Sequence, residues 1–342
     1  MKMKFLSALT GFALAFGLAA GASAQDVHLR LGSPVGPQDL ATKYLEDYAK
    51  RVSERTEGKL TLEVIPIETL GFKNVDSLRV VRQNVVDAIY VQTFYVTRDE
   101  PLMSAFMPHG VLTESKENLK VTQVQFEVLQ AMLRDKWNME LVTNDPTGGG
   151  QSRLYIASKE PINTLEQLKA VKLRHYSKAG IRAYSELGVS AQVVPSSELY
   201  LALQTGVVDS AVYGAPYIIS QSINEVTCCA AYVGALTLTP RGIAVDADKW
   251  SSLPESYKKA MVDVGKEMLS ESMEIWQKDT LEQGAVDKLV ASGYQILDDF
   301  PIEDRLKIQD ATLSVWHADV VQIGPEAVDM YDKIVKALKA GN

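Results

Sequence analysis

Residues 153–217 read RLYIASKEPINTLEQLKAVKLRHYSKAGIRAYSELGVSAQVVPSSELYLALQTGVVDSAVYGAPY, and the fold is decided here. Thr164, followed three residues on by Gln167, is a capping box, so a short helix begins there and hands over to the apolar run Val171-Lys172-Leu173. Arg174 stands where that strand ends. A second helix, near Lys178 to Leu187, is stopped by Gly188; a third opens at Ser196, with Glu198 in its first turn, and stops at Gly206. The order strand, helix, strand, helix, strand is that of an α/β sheet. In such sheets ligands bind beyond the carboxyl ends of the strands, and an arginine placed there offers five donors in a fork shaped for a carboxylate. Arg174 has that placement.

Working outward, the amino terminus is set apart from the fold. Lys2 and Lys4 precede the apolar run Phe5 to Ala20, and Ala22-Ser23-Ala24 forms a small-residue cleavage site, so residues 1–24 are expected to be a secretory signal peptide. The run is short of the roughly 20 residues that a membrane span needs. The whole chain carries a net charge of -8, and removing the leader with its two lysines makes the balance more acidic still. Such a balance argues against nucleic-acid binding, and an anionic ligand would need local arginines. With 342 residues, 46% of them hydrophobic, the chain exceeds what one core usually supports, and two lobes are expected. The only cysteines, Cys228 and Cys229, are adjacent, and the segment around them reads as buried, with the two side chains as small apolar filler rather than a vicinal disulfide.

His28-Leu29-Arg30-Leu31 is a strand, Leu40 to Val52 carries helical spacing ending at Gly58, and Leu60, Leu62 and Val64 alternate as the next strand, which makes a βαβ unit. A helix is expected over Val75 to Gln83, stopped by Asn84, and then a buried strand from Val85 to Val91 whose carboxyl end runs into Gln92-Thr93-Phe94-Tyr95. Leu119 to Trp137 is an amphipathic helix and Met139 to Val142 a strand. Thr147-Gly148-Gly149-Gly150 lacks the Gly-Lys-Ser/Thr ending of a phosphate loop and reads as the crossing to the second lobe. Gly234 to Ala247 reads as a strand recrossing to the first lobe, with Pro240-Arg241-Gly242 a turn. A long helix runs from Glu255 to about Asp279, and helices from Ile302 and from Pro325 complete the second lobe and the tail.

Arg153 leading to Pro161-Ile162, then Leu168-Lys169, Lys172-Leu173-Arg174, Leu187-Gly188 and Glu198-Leu199-Tyr200-Leu201-Ala202-Leu203-Gln204-Thr205-Gly206-Val207-Val208-Asp209 resemble the substrate-binding proteins of TRAP (tripartite ATP-independent periplasmic) transporters, of the DctP type. Thr56-Glu57-Gly58 and Leu70-Gly71 fall in the family's order too. The resemblance implies a two-lobed periplasmic-binding-protein fold with a cleft between the lobes and a long helix spanning both. Residues 25–150 plus about 239–278 would form lobe I, and 151–238 plus about 279–342 lobe II. It implies a periplasmic receptor that closes over a small organic carboxylate and delivers it to membrane permease subunits, without catalysis and without a cofactor; some relatives pair as homodimers.

By the same resemblance Arg174 is the ligand clamp and Arg153 its companion. After Asp209 the family's usual Gly-Gln-Glu-Asn-Pro is replaced by Ser210-Ala211-Val212-Tyr213-Gly214, so Tyr213 stands where an asparagine commonly contacts ligand. A ring with one hydroxyl in place of a compact amide favours a 2-oxo, aromatic or other monocarboxylic acid over a C4-dicarboxylate. Gln92, Phe94, Tyr95 and Tyr217 are the remaining candidates for the wall. The four histidines are scattered with no metal-ligand spacing, His175 reads as packing, and there is no G-x-S-x-G elbow. Glu198 and Asp209 are explained by helix-start electrostatics and turn chemistry, not by acid/base work. Two other functions remain: a receptor for an ABC importer or a sensor, and a secreted enzyme with a similar cleft.

Overall fold

The structure, a computed structural model, describes residues 26–112, 119–147 and 152–339. The expected leader and the Gly148-Gly149-Gly150 crossing lie outside the described residues. In chain order the elements are β1 (Val27–Ser33), α1 (Leu40–Arg55), β2 (Leu60–Pro66), α2 (Ser77–Arg82), β3 (Ala88–Gln92), α3 (Leu119–Trp137), β4 (Met139–Leu141) and β5 (Arg153–Ser158). They continue with α4 (Leu165–Leu168), β6 (Lys172–His175), α5 (Lys178–Glu186), β7 (Ser190–Val193), α6 (Ser196–Thr205), β8 (Ser210–Tyr213), α7 (Ala215–Ser220) and β9 (Cys229–Ala235). The last are β10 (Arg241–Asp246), α8 (Ala247–Ser252), α9 (Glu255–Lys278), α10 (Thr280–Ala291), β11 (Gln295–Ile296), α11 (Ile302–Ile323) and α12 (Pro325–Lys339).

The strands form two sheets. The first has the order β2-β1-β3-β10-β4, with β1 parallel to β2 and β3 and with β10 antiparallel to β3 and β4. The second has the order β11-β9-β5-β8-β6-β7, in which β6 runs parallel to β7 and β8 while β5 is antiparallel to β8 and β9. Each sheet is covered on both faces by apolar clusters. The period of two shows in β3, where Ile89 and Val91 enter one cluster and Ala88 and Tyr90 the opposite one. Likewise Tyr155 and Ala157 of β5 face one side of the second sheet and Leu154 and Ile156 the other.

Local chemistry sets the boundaries. Thr164 Oγ1 accepts the Gln167 amide at 3.3 Å while Gln167 Oε1 accepts the Thr164 amide at 3.1 Å, which is the capping box read from sequence. Gly206 ends α6 at φ 78°, and Asn84 ends the α2 region at φ 56°, a conformation that asparagine tolerates better than most residues. Asp39 caps α1 by accepting the Ala41 amide at 2.9 Å.

Connections pass between the sheets more than once. Helix α9 packs Tyr257, Met261, Val264 and Met268 on the first sheet, and the Asp279 that follows it is ion-paired to Arg153 of the second. Helix α11 places Ile308 in the core of the second sheet and Trp316 and Val320 in that of the first.

Three expectations are corrected. Helix α12, expected in lobe II, buries Ala327, Met330 and Ile334 in the core of the first sheet, because α11 has already carried the chain back across. The segment from Gly234 to Ala247 is two strands, β9 ending at Ala235 and β10 beginning at Arg241, with the crossing at 236–240. Arg241 is therefore in a strand, and Gly242 serves close approach: a Cβ there would lie 2.0 Å from the Thr143 carbonyl oxygen. Finally, Cys228 and Cys229 are joined as a vicinal disulfide. Cys229 opens the fully buried strand β9 while Cys228, just before it, is exposed, so the pair is not a single buried apolar unit.

Candidate functional site

Strand β6 is buried except at Lys172, and the strand period points Arg174 and His175 to opposite faces. His175 packs beneath the sheet: its Nδ1 accepts the Ser177 amide at 3.0 Å, burial pushes it down to about 3, and it is neutral. Gly180 makes room for that ring, since a Cβ there would lie 2.0 Å from it. Arg174 turns the other way, into a cavity between the sheets that encloses about 610 Å³, part of it open to solvent. Its side chain is almost fully buried, at 1% exposure. Nε donates to the Val194 carbonyl at 2.9 Å and one terminal nitrogen to Ser196 Oγ at 3.3 Å, while the other, Nη1, has no partner. Burial lowers the pKa of this guanidinium below its ordinary value, but arginine stays protonated. A buried N–H left without an acceptor is costly, and a ligand carboxylate is the natural partner.

A second buried cation faces it from the first sheet. Arg241 opens β10 opposite Gln92 of β3, is 5% exposed, lines the same cavity, and has an Nε without a partner. The Tyr176 hydroxyl is buried in the same cavity and also lacks a partner. Three unsatisfied polar groups thus converge from both sheets. Around them stands an aromatic wall. Phe94 lies 5.9 Å from His109 and 6.0 Å from Tyr176, and the His109 and Tyr176 rings are 5.4 Å apart, edge on. His109 Nδ1 accepts the Thr237 amide at 3.1 Å, and burial holds its pKa well below the ordinary range, so the ring is neutral. The Tyr213 ring centre is 5.2 Å from the Arg174 guanidinium carbon and 5.4 Å from the Tyr217 ring.

Of the residues expected from sequence, Arg174, Gln92, Phe94, Tyr95, Tyr213 and Tyr217 all line this cavity. Arg153 does not. It sits at the start of β5 with its side chain 44% exposed, 2.8 Å from Asp279 and stacked at 5.6 Å over the Tyr232 ring. Its charge is matched by a carboxylate outside the cavity. The sequence reading missed Arg241, Asp39 and His109. Arg241 was hidden by the turn-like Pro240-Arg241-Gly242. Asp39 announced itself as an N-cap before an apolar-periodic helix, in the first strand-to-helix turn, where α/β ligand sites lie. Among the described residues no group of three or more His, Cys, Asp or Glu is arranged to hold a metal, and no helix is long and apolar enough to cross a membrane.

Two sheets facing each other across a cavity lined by buried, unsatisfied cations define a two-lobed solute-binding protein. The family model of the bacterial extracellular solute-binding proteins, family 7 (DctP), matches residues 31–321, and the chain belongs to that family, the solute-binding subunits of TRAP transporters. Among its relatives, a monocarboxylate 2-oxoacid-binding periplasmic protein of Nostoc sp. is 26% identical over 266 residues, 74% of this chain and 68% of the relative. The C4-dicarboxylate-binding periplasmic protein of Rhodobacter capsulatus is 22% identical over 95% of this chain and 96% of its own. In fold, a Bordetella pertussis extracytoplasmic solute receptor binding pyroglutamic acid superposes with a TM-score of 0.77 at 18% identity, covering 91% of this chain and 100% of the receptor. A TRAP periplasmic solute-binding protein from Desulfovibrio salexigens, with bound orotic acid, superposes at 0.76 and 22% identity, covering 92% and 99%.

Proposed function

We propose that this protein is the periplasmic receptor of a TRAP transporter that binds a small organic monocarboxylate and hands it to the membrane permease. The supporting observation is the pair of buried guanidiniums, Arg174 and Arg241, each with an unpartnered N–H in one interlobe cavity. A carboxylate between them would satisfy donors contributed by both lobes, so binding would favour the closed arrangement over the open one, and the permease would read that closed shape. The aromatic wall of Phe94, Tyr176 and Tyr213 suits an acid whose remainder is apolar or aromatic. Relatives that bind pyroglutamic acid, orotic acid or 2-oxo acids point to the same chemistry. The leader, residues 1–24, would be removed on export.

The test is a thermal-shift screen of the mature protein against 2-oxo acids, aromatic acids, lactam acids, sulfonates and dicarboxylates, in which a tight binder raises Tm by mass action. Calorimetry on the best ligand follows. Arg174→Ala is expected to weaken binding about thirtyfold or more, since truncating one partner of a desolvated charged hydrogen bond costs about 2–5 kcal/mol. Unchanged affinity in that variant would refute the arginine clamp.

A further inference from the structure

The cavity holds one acid that the arginine clamp leaves without a task. Asp39 lines it alongside Arg174 and Arg241 and is only 6% exposed. The turn that carries it is tied down: the Asp39 amide donates to the Gly36 carbonyl at 3.1 Å, the Thr42 hydroxyl to the same carbonyl at 2.8 Å, and Asp39 Oδ1 accepts the Ala41 amide at 2.9 Å. The carboxylate is therefore held at the cavity rather than free to swing away. It faces Arg241 of β10, the Tyr217 hydroxyl of α7 and, from the turn after β2, Glu68; Tyr95 and Tyr213 also sense its charge.

Among the charged side chains that line the cavity, two guanidiniums and one carboxylate leave a single positive charge. A monoanion neutralises it. A dianion would bring a second negative charge toward Asp39 in a water-poor site, where like charges repel far more than in water. Burial raises Asp39 to about 6, so at neutral pH it is mostly ionised and that repulsion is present.

We propose that Asp39 is a charge filter, admitting acids with one carboxylate and an uncharged far end and excluding dicarboxylates. The inference rests on the receptor reading above and adds the residue that sets ligand charge.

The test compares 2-oxovalerate with 2-oxoglutarate, which share a chain length and differ in a terminal methyl against a carboxylate. Affinities are measured by calorimetry at pH 8 on the mature wild type and on Asp39→Asn, which keeps the helix cap and an acceptor oxygen. The wild type is expected to prefer 2-oxovalerate by about tenfold or more, and Asp39→Asn to lose about tenfold of that preference. A wild type that binds 2-oxoglutarate as tightly, or a variant with an unchanged ratio, overturns the filter. Should the variant not fold, the wild-type ratio at pH 5.5 against pH 8 reads the same group: the preference is expected to shrink as Asp39 takes a proton, and a constant ratio overturns the filter. A wild type that binds neither probe also overturns it. The receptor reading falls separately, only when no acid of the wider screen binds.

Discussion

The cleft and the junction of β5 with the end of α9 each hold an arginine from the same short segment of chain, and the two side chains have opposite fates. At that junction, Arg153 is half exposed and ion-paired to Asp279 at the end of α9. In the cleft, Arg174 is buried, bonded only to a carbonyl and a hydroxyl, and keeps one nitrogen unsatisfied. The residue type is the same, so the difference lies in what the fold puts opposite each charge. A cation that has found its carboxylate ties elements together. One buried without a carboxylate is positioned to receive an anion from outside.

That contrast can be broken by substitution, starting with the largest effect. Arg241→Ala is expected to weaken binding of the best acid about thirtyfold or more, as Arg174→Ala does, because both buried guanidiniums present an orphaned N–H. Calorimetric affinity near the wild-type value would remove Arg241 from the site. Tyr176→Phe deletes one buried, unpartnered hydroxyl and is expected to reduce affinity about three- to tenfold, the measure of one hydrogen bond to ligand.

The junction gives a pH-dependent counterpart. Glu282, one turn beyond Asp279, is buried, its Oε1 accepts the Ala215 amide at 2.8 Å, and burial raises it from an ordinary 4.5 to about 7. Between those values the folded protein holds a proton that the unfolded chain has released. Stability therefore falls as pH rises through that window and levels off above it. Glu282→Gln is expected to flatten the fall in Tm between pH 5 and pH 8, and parallel curves for the two proteins would show that the group carries no such linkage. The smallest effect is expected at Arg153. Arg153→Ala should change ligand affinity less than about threefold and lower Tm by about 2 °C or less, since a half-exposed ion pair is worth about 0.2–1 kcal/mol. A loss matching that of Arg174→Ala would return Arg153 to the binding site.

Much of the second lobe was legible because its signals are local. The Thr164/Gln167 box, the stops at Gly188 and Gly206 and the strand tip at Arg174 each depend on residues within a few positions of one another. Arg241 was misread for the converse reason. Pro240-Arg241-Gly242 has the composition of a turn, and only the partner strands show that Gly242 is there to let β10 pass the Thr143 carbonyl. Helix α12 was misassigned because its amphipathic pattern fits either lobe, and the route of α11 determines which one it reaches.

By itself, the amino-acid order determined the α/β class, most element boundaries and one of the two cleft arginines, since caps, left-handed stops and strand periods are short-range properties of the chain. The tertiary structure alone decided which charges stay unpaired. Arg241 and Asp39 enter the cleft on elements some 200 residues apart in sequence, and Arg153 meets Asp279 across about 125. Whether a charge is neutralised or left waiting is a matter of distance and burial, and those are set by packing rather than by neighbours along the chain.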